Sequence, residues 1–150
     1  MLTDNLLVPK KVLFSLAIGW TVLIAVLCLV RFTDLPSFGV SGADKYVHFT
    51  LHFGFTMLWG FYSVKKQNKI VLKKIATIIA VSFCYGILIE ILQETCTTTR
   101  HADVFDVLAN FSGAIMALVL FALIKSRKTA NTSACLVVVH VSCKISISIP

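Results

Sequence analysis

Gly86-Ile-Leu-Ile-Glu90-Ile-Leu-Gln93-Glu94-Thr-Cys96-Thr-Thr-Thr-Arg100-His-Ala-Asp103-Val-Phe-Asp106-Val-Leu-Ala-Asn110-Phe-Ser-Gly113 is the stretch on which the fold turns. It joins two long apolar runs through a short polar loop. It also carries Glu90, Glu94, Asp103 and Asp106, four of the chain's seven carboxylates. Ionisable groups at the mouth of apolar helices are costly and call for a reason. Ser82, Gly86, Glu90 and Gln93 follow one another at helical intervals, a stripe of small and polar side chains that must face protein and not lipid. Asp103, Asp106, Asn110, Gly113 and Ala117 form a matching seam on the other side of the loop, polar at its start and small deeper in. Antiparallel pairing of these two helices places Glu90 level with Asn110. Gly86 then admits a close neighbour one turn below Glu90.

Composition sets the solvent. Hydrophobic residues make up 57% of the 150 and charged residues only 14%, with mean hydropathy +0.88. A soluble domain carries about a quarter charged residues. Four runs approach the roughly 20 residues that cross a hydrocarbon core, at 12–30, 46–64, 75–92 and 104–124. The expected fold is therefore all-α: a polytopic membrane protein with four transmembrane helices in an antiparallel bundle, forming one domain over 1–128.

The charge of +7 is sorted along the chain. Lys10 and Lys11, then Lys65, Lys66, Lys69, Lys73 and Lys74, then Lys125, Arg127 and Lys128 occupy alternate connections, ten of the fourteen basic residues. The positive-inside rule reads those connections as cytoplasmic, with both termini inside. Topology and lipid-headgroup contact account for this pattern better than nucleic acid, which is excluded as a partner. The first run has too long an apolar core for a cleaved signal peptide and no small-residue cleavage site after it. Within it, Ser15 and Gly19 form a small-xxx-small pair suited to close helix packing. The five cysteines include no CxxC pair, so neither a disulfide framework nor a thiolate zinc site is expected.

The second run opens with Asp44, Lys45, His48 and His52. Asp44, His48 and His52 are four apart and share a helix face, which supplies a third wall to the polar layer. His48 and His52 have a metal-ligand spacing, and Glu90 and Asp106 would complete a set. Without the flanking acid of HExxH this is a weak signal, and histidines on an apolar helix are commonly hydrogen-bonded core residues. No metal and no cofactor are assigned on sequence. Beyond residue 128 the pattern changes. Odd positions from Val137 to Ile149 are apolar and even ones from His140 to Ser148 are polar or charged, a period of two. Residues 129–150 are expected to be unordered or weakly strand-forming.

Asp44-Lys45-x-x-His48, Glu90-x-x-Gln93 and Arg100-x-x-Asp103-x-x-Asp106-x-x-x-Asn110-x-x-Gly113, in this order and topology, resemble the VanZ-like family of small bacterial membrane proteins. The resemblance covers about residues 10–126. It departs from the family's pattern in the loop, where Thr95-Cys-Thr-Thr-Thr-Arg stands in place of a proline or glycine near the arginine. The resemblance implies the bacterial cytoplasmic (inner) membrane and an association with low-level resistance to the glycopeptide teicoplanin. Some relatives are labelled phosphotransbutyrylases, but this chain has no glycine-rich phosphate loop.

Three functions remain open on sequence. The first is a binding site for an envelope ligand, either a lipid-linked cell-wall precursor or an amphiphilic glycopeptide. Its residues would be Asp44, Lys45, His48, His52, Glu90, Gln93, Arg100, Asp103, Asp106 and Asn110, with Lys45 and Arg100 holding an anionic group and carboxylates meeting amines or hydroxyls. The second is a membrane-embedded enzyme on a lipid-linked substrate, with His48 or Glu90 as general base; no activated nucleophile is visible. The third is a polar cluster that only fixes the bundle, a Glu90–Arg100 pair included. Membrane lipids are expected neighbours and homo-oligomerisation is left open. Transport fits poorly, since no helix is interrupted at mid-depth.

Overall fold

A computed structural model describes residues 8–29, 43–96 and 103–147, with side chains characterised as far as Ala130. Four helices occur among the described residues: α1 (Lys10–Leu29), α2 (Ala43–Gln67), α3 (Leu72–Cys96) and α4 (Val104–Ile147). Pro9 leads into α1, its carbonyl accepting the Leu13 N–H. The turn between α2 and α3 is closed by Asn68 at φ 55°, a left-handed conformation that asparagine tolerates at a helix end. Asp103 caps α4, its carboxylate accepting the Phe105 N–H at 2.8 Å and its carbonyl the Asp106 N–H at 3.0 Å.

Consecutive helices run antiparallel. Phe14 of α1 meets Tyr62 and Trp59, while Trp20, further along, donates its indole N–H to the Leu51 carbonyl at 2.9 Å. In α3, Tyr85 donates to the Thr21 carbonyl and Gln93 to that of Cys28, so α1 and α3 are parallel. Contacts between α2 and α4 climb together, from Lys45 with Asp106 through His48 with Asn110 to Gly60 against the Phe121 ring. These two helices are parallel neighbours. Glu90, Gln93, Asp103, Asp106 and Asn110 of the opening stretch therefore gather at one end of the bundle, the acidic end. The lysines of the α2–α3 turn lie at the other.

Two apolar clusters hold the helices. Ile24, Cys28, Leu51, Phe55 and Ile89 join α1, α2 and α3; Val64, Ile75, Ile79, Ala114 and Phe121 join α2, α3 and α4. The outward faces of α1, α3 and α4 stay apolar, with Val22, Leu88, Leu108 and Leu123 at least half exposed. Such surfaces suit lipid, where association rests on close packing and interhelical hydrogen bonds and not on removal from water.

Three helices are long and apolar enough to cross a membrane: Lys10–Leu29, Leu72–Thr95 and Val104–Ala130. The second predicted span lies in α2, which lacks that apolar composition. The reason is visible in its surroundings, because His48, His52 and Thr56 are all buried among the other helices. Two further expectations need correction. The period-two pattern beyond residue 128 does not produce a strand, and α4 continues as helix to Ile147. A lone segment satisfies its backbone hydrogen bonds as a helix, whereas a strand needs a partner. Ser15 and Gly19 are exposed, and a Cβ on Gly19 would meet nothing within 4 Å, so the pair seats no helix in this chain.

Candidate functional site

The acidic end is built from three helix ends. Ser82, Gly86, Glu90 and Gln93 are all buried, as are Asp106, Asn110, Gly113 and Ala117, so both stripes face inward. Gly113 sits directly against the Phe49 backbone, where a Cβ would collide with the carbonyl oxygen. That close approach brings α2 against α4 and sets His48 beside the α4 seam.

His48 is the centre of the layer. Its Nδ1 lies 3.2 Å from Asn110 Oδ1 and 4.0 Å from Glu90 Oε1, and its Nε2 lies 3.8 Å from Asp106 Oδ2. The side chains of His48 and Glu90 are 4% and 5% exposed. One donor atom each from His48, Glu90 and Asp106 fall within 4.8 Å of one another. Glu90 Oε2 accepts the Asp103 backbone N–H at 3.3 Å, tying the end of α3 to the start of α4. Its other oxygen, Oε1, has no hydrogen-bond partner among the described residues, nor has Asn110 Nδ2. The spacing predicts Glu90 level with Asn110. In the structure Glu90 faces Asp103 and Asp106, and Asn110 lies beside Gly86, where a Cβ would meet its Nδ2 at 2.9 Å.

Lys45 closes the mouth. Its ammonium donates to Asp103 Oδ2 at 2.8 Å and to Asp106 Oδ1 at 3.4 Å, and Asp44 lies 3.9 Å away. The hydrogen bond to Asp103 raises the Lys45 ammonium above the usual lysine range. In return, Lys45 and then the Phe105 N–H hold the Asp103 carboxyl below the usual carboxylate range. Lys45 is therefore committed to carboxylates of its own chain, which leaves less of it for a ligand anion than the sequence suggests.

His52 goes elsewhere. Although it shares a face with His48, its Nδ1 pairs with Ser82 Oγ at 2.8 Å, away from the carboxylates. The His48–His52 metal spacing is thus divided between two partners, and Asp106 takes the place next to His48. Gln93 donates to the Cys28 carbonyl at 2.9 Å, outside the His48 cluster. Asp44 stays at the exposed rim. Arg100, and with it any Glu90–Arg100 pair, lies outside the described residues.

Two ionised carboxylates this close repel by roughly 3 kcal/mol at an effective dielectric constant of about 20. Lys45 offsets part of that for Asp106 but does not reach Glu90 Oε1. The arrangement is therefore a buried acceptor-rich layer with an imidazole in its middle, suited to an amine, a hydroxyl or a cation.

A second concavity was not legible in the sequence. It lies toward the lysine-bearing end, holds about 630 Å³, and is walled by Trp59, Tyr62, Tyr85 and Ile78 with Lys66 and Lys74 beside them. None of the acidic-end residues lines it.

Among known proteins, no curated sequence and no solved structure matches this chain. The family described as VanZ/LLP1 matches residues 5–125, a span that contains the whole three-helix polar layer. With that match over most of its length, the chain belongs to the VanZ/LLP1 family.

Proposed function

We propose that the acidic end binds the polar headgroup of an envelope amphiphile at the outer face of the bacterial cytoplasmic membrane. In this reading all four helices span, both termini are cytoplasmic, and the lysine-rich turn faces the cytoplasm. α2 is long enough, at 25 residues and about 37 Å. His48, His52 and Thr56 are shielded by its neighbours. The candidate ligands are a lipid-linked cell-wall precursor and a glycopeptide such as teicoplanin, which is the link to antibiotic resistance that the family resemblance implies.

One observation carries the reading. Glu90 Oε1 and Asn110 Nδ2 are buried without hydrogen-bond partners among the described residues, an acceptor and a donor on the two side chains that approach His48 Nδ1. An unsatisfied buried polar group costs about 1–3 kcal/mol, which a bound partner would relieve; Thr56 Oγ1, further along α2, is the one other such atom among the described residues. A ligand carrying an amine or hydroxyl next to a carbonyl satisfies both.

The test is binding of teicoplanin and of an undecaprenyl-linked precursor to the full chain in nanodiscs, followed by native mass spectrometry. Glu90→Gln and Asn110→Ala should weaken binding by about tenfold or more, from loss of a charge-assisted and a neutral bond. If both variants fold and bind as the wild type does, or if neither probe binds the wild type, the reading is wrong. His48 between Asp106 and Glu90 also has the setting of a general base. Turnover of the labelled precursor would favour that enzymatic reading.

A further inference from the structure

We propose that His48, Glu90 and Asp106 hold a divalent cation of the Zn²⁺ or Mn²⁺ class. The three side chains come from three different helices, yet one donor atom of each falls within 4.8 Å of the others. Donors around an ion at about 2.1 Å lie about 3 to 4.2 Å apart. The His48 Nε2–Asp106 Oδ2 separation of 3.8 Å is already in that range, while Glu90 Oε1 lies 4.0 Å from the other ring nitrogen, Nδ1, and is the group that must move. The outer bound closes with a contraction of about 0.6 Å, within reach of small side-chain rotations.

Four features favour a cation over a plain polar cluster. Glu90 Oε1 is buried, points at the cluster and has no hydrogen-bond partner among the described residues. Two carboxylates and one imidazole match the charge and donor preference of a divalent transition-metal or zinc ion. Asn110 Oδ1 accepts from His48 Nδ1, which leaves Nε2, the nitrogen facing Asp106, to coordinate. Metal-bound histidines commonly donate their other ring N–H in this way, and the bond fixes the tautomer. Finally, the two ligand carboxylates are each held by their far oxygen. Asp106 Oδ1 receives Lys45 and Glu90 Oε2 receives the Asp103 N–H, so Oδ2 and Oε1 are turned inward.

The cation also reconciles an acidic site with an anionic partner. By sequence, the predicted outer half carries three cations and six carboxylates, a balance of −3 with neutral histidines. A bound divalent ion presents an open coordination position to a phosphate or carboxylate that the bare carboxylates would repel. Residues from α2, α3 and α4 supply one ligand each, and the Lys45–Asp103 bridge at 2.8 Å would have to part for a headgroup to reach the ion. The proposal does not depend on which headgroup arrives there.

The experiment uses the full chain in nanodiscs, stripped with EDTA and titrated with Zn²⁺ by calorimetry. Mn²⁺-loaded protein is then examined by pulsed EPR for nitrogen modulation from a directly bound imidazole. Saturable binding of one ion per chain is expected. Glu90→Gln and Asp106→Asn should each weaken it by about tenfold or more, and Asn110→Ala by about tenfold. His48→Ala should abolish the nitrogen modulation. His52→Gln, which disturbs the Ser82 pair and the ring contacts with Phe55 and Tyr85 but none of the three ligands, should bind like the wild type. The proposal is overturned if the wild type shows no saturable binding of either ion. It is equally overturned if Glu90→Gln and Asp106→Asn bind unchanged, or if His52→Gln abolishes the modulation while His48→Ala keeps it. Amphiphile binding by EDTA-stripped protein that takes up no metal would overturn the cation site while leaving the headgroup site intact.

Discussion

Replacing Gly113 with alanine should force α2 and α4 apart. The new methyl would occupy the place of the Phe49 carbonyl oxygen and crowd the Phe53 amide nitrogen. Both obstacles are backbone, so no side-chain rotation relieves them. One helix must retreat by about 1 Å, the kind of overpacking that costs about 1–3 kcal/mol. The same retreat stretches the His48–Asn110 contact at 3.2 Å and the Lys45–Asp106 contact at 3.4 Å. Interhelical polar contacts in a membrane are worth about 0.6 to 2 kcal/mol each. Alanine returns up to about 1 kcal/mol of helix propensity. With the two contacts weakened and not lost outright, the net expectation is a loss of about 1–4 kcal/mol. Gly19→Ala is the internal control: it meets nothing within 4 Å and should be neutral or stabilising by up to about 1 kcal/mol. Unfolding in mixed micelles with rising SDS, followed by helicity and by the fluorescence of Trp20 and Trp59, measures both. Equal midpoints for the two variants would refute the close α2–α4 approach on which the site is built.

The remaining expectations concern the mouth and the topology. Asp103 is depressed by Lys45, so the bridge contributes stability above the ordinary carboxylate value and loses it as pH falls through the lowered one. Lys45 is raised, so its share persists until pH climbs past the elevated ammonium value. The difference in Tm between wild type and Lys45→Met should hence stay constant from about pH 5 to 10 and shrink below about pH 4; a difference that vanishes at neutral pH would contradict the bridge. Orientation is tested by single cysteines in a cysteine-free background. Asp44→Cys and Glu94→Cys should react with an impermeant maleimide on intact cells, while Lys69→Cys and Lys128→Cys should react only after permeabilisation. The reverse pattern would sink the cytoplasmic assignment of the lysine-rich end.

The helices and their inward faces were legible because two periodicities agreed. Ser82, Gly86, Glu90 and Gln93 can share a face only on a helix, and polar atoms on an apolar helix must turn inward. The same logic recovered Asp106, Asn110, Gly113 and Ala117. What it could not supply was register. His48 and His52 share a face, yet one turn along α2 is enough to exchange Asn110 and the carboxylates for Ser82, because α3 runs the opposite way. The parallel contact of α2 with α4 is likewise a property of the bundle and not of any local spacing. Ser15 and Gly19 show the converse, a packing motif with no helix against it. The tail misled for a related reason. Alternation reports where side chains would point if a strand had a partner, and nothing local tells whether a partner exists.

α2 explains why hydropathy and packing disagree about this chain. A helix must be apolar where it meets lipid, not along its whole circumference. α1, α3 and α4 each present large apolar side chains outward. Among the exposed large hydrophobics, α2 contributes only Tyr46 and Val47, both next to its acidic end. Packed against three neighbours, α2 has little surface left to hide. Its polar side chains can therefore be numerous without facing hydrocarbon: His48, His52 and Thr56 are buried, and Lys45 reaches the mouth. The helix that scores lowest as a span is the one best placed to carry chemistry. Averaged hydropathy counts its polar residues against membrane insertion, whereas the helix–helix contacts show that those residues face other helices. A bundle of three apolar helices around one polar helix is the arrangement in which both facts hold, and it puts His48 where Glu90 of α3 and Asp106 of α4 both reach it.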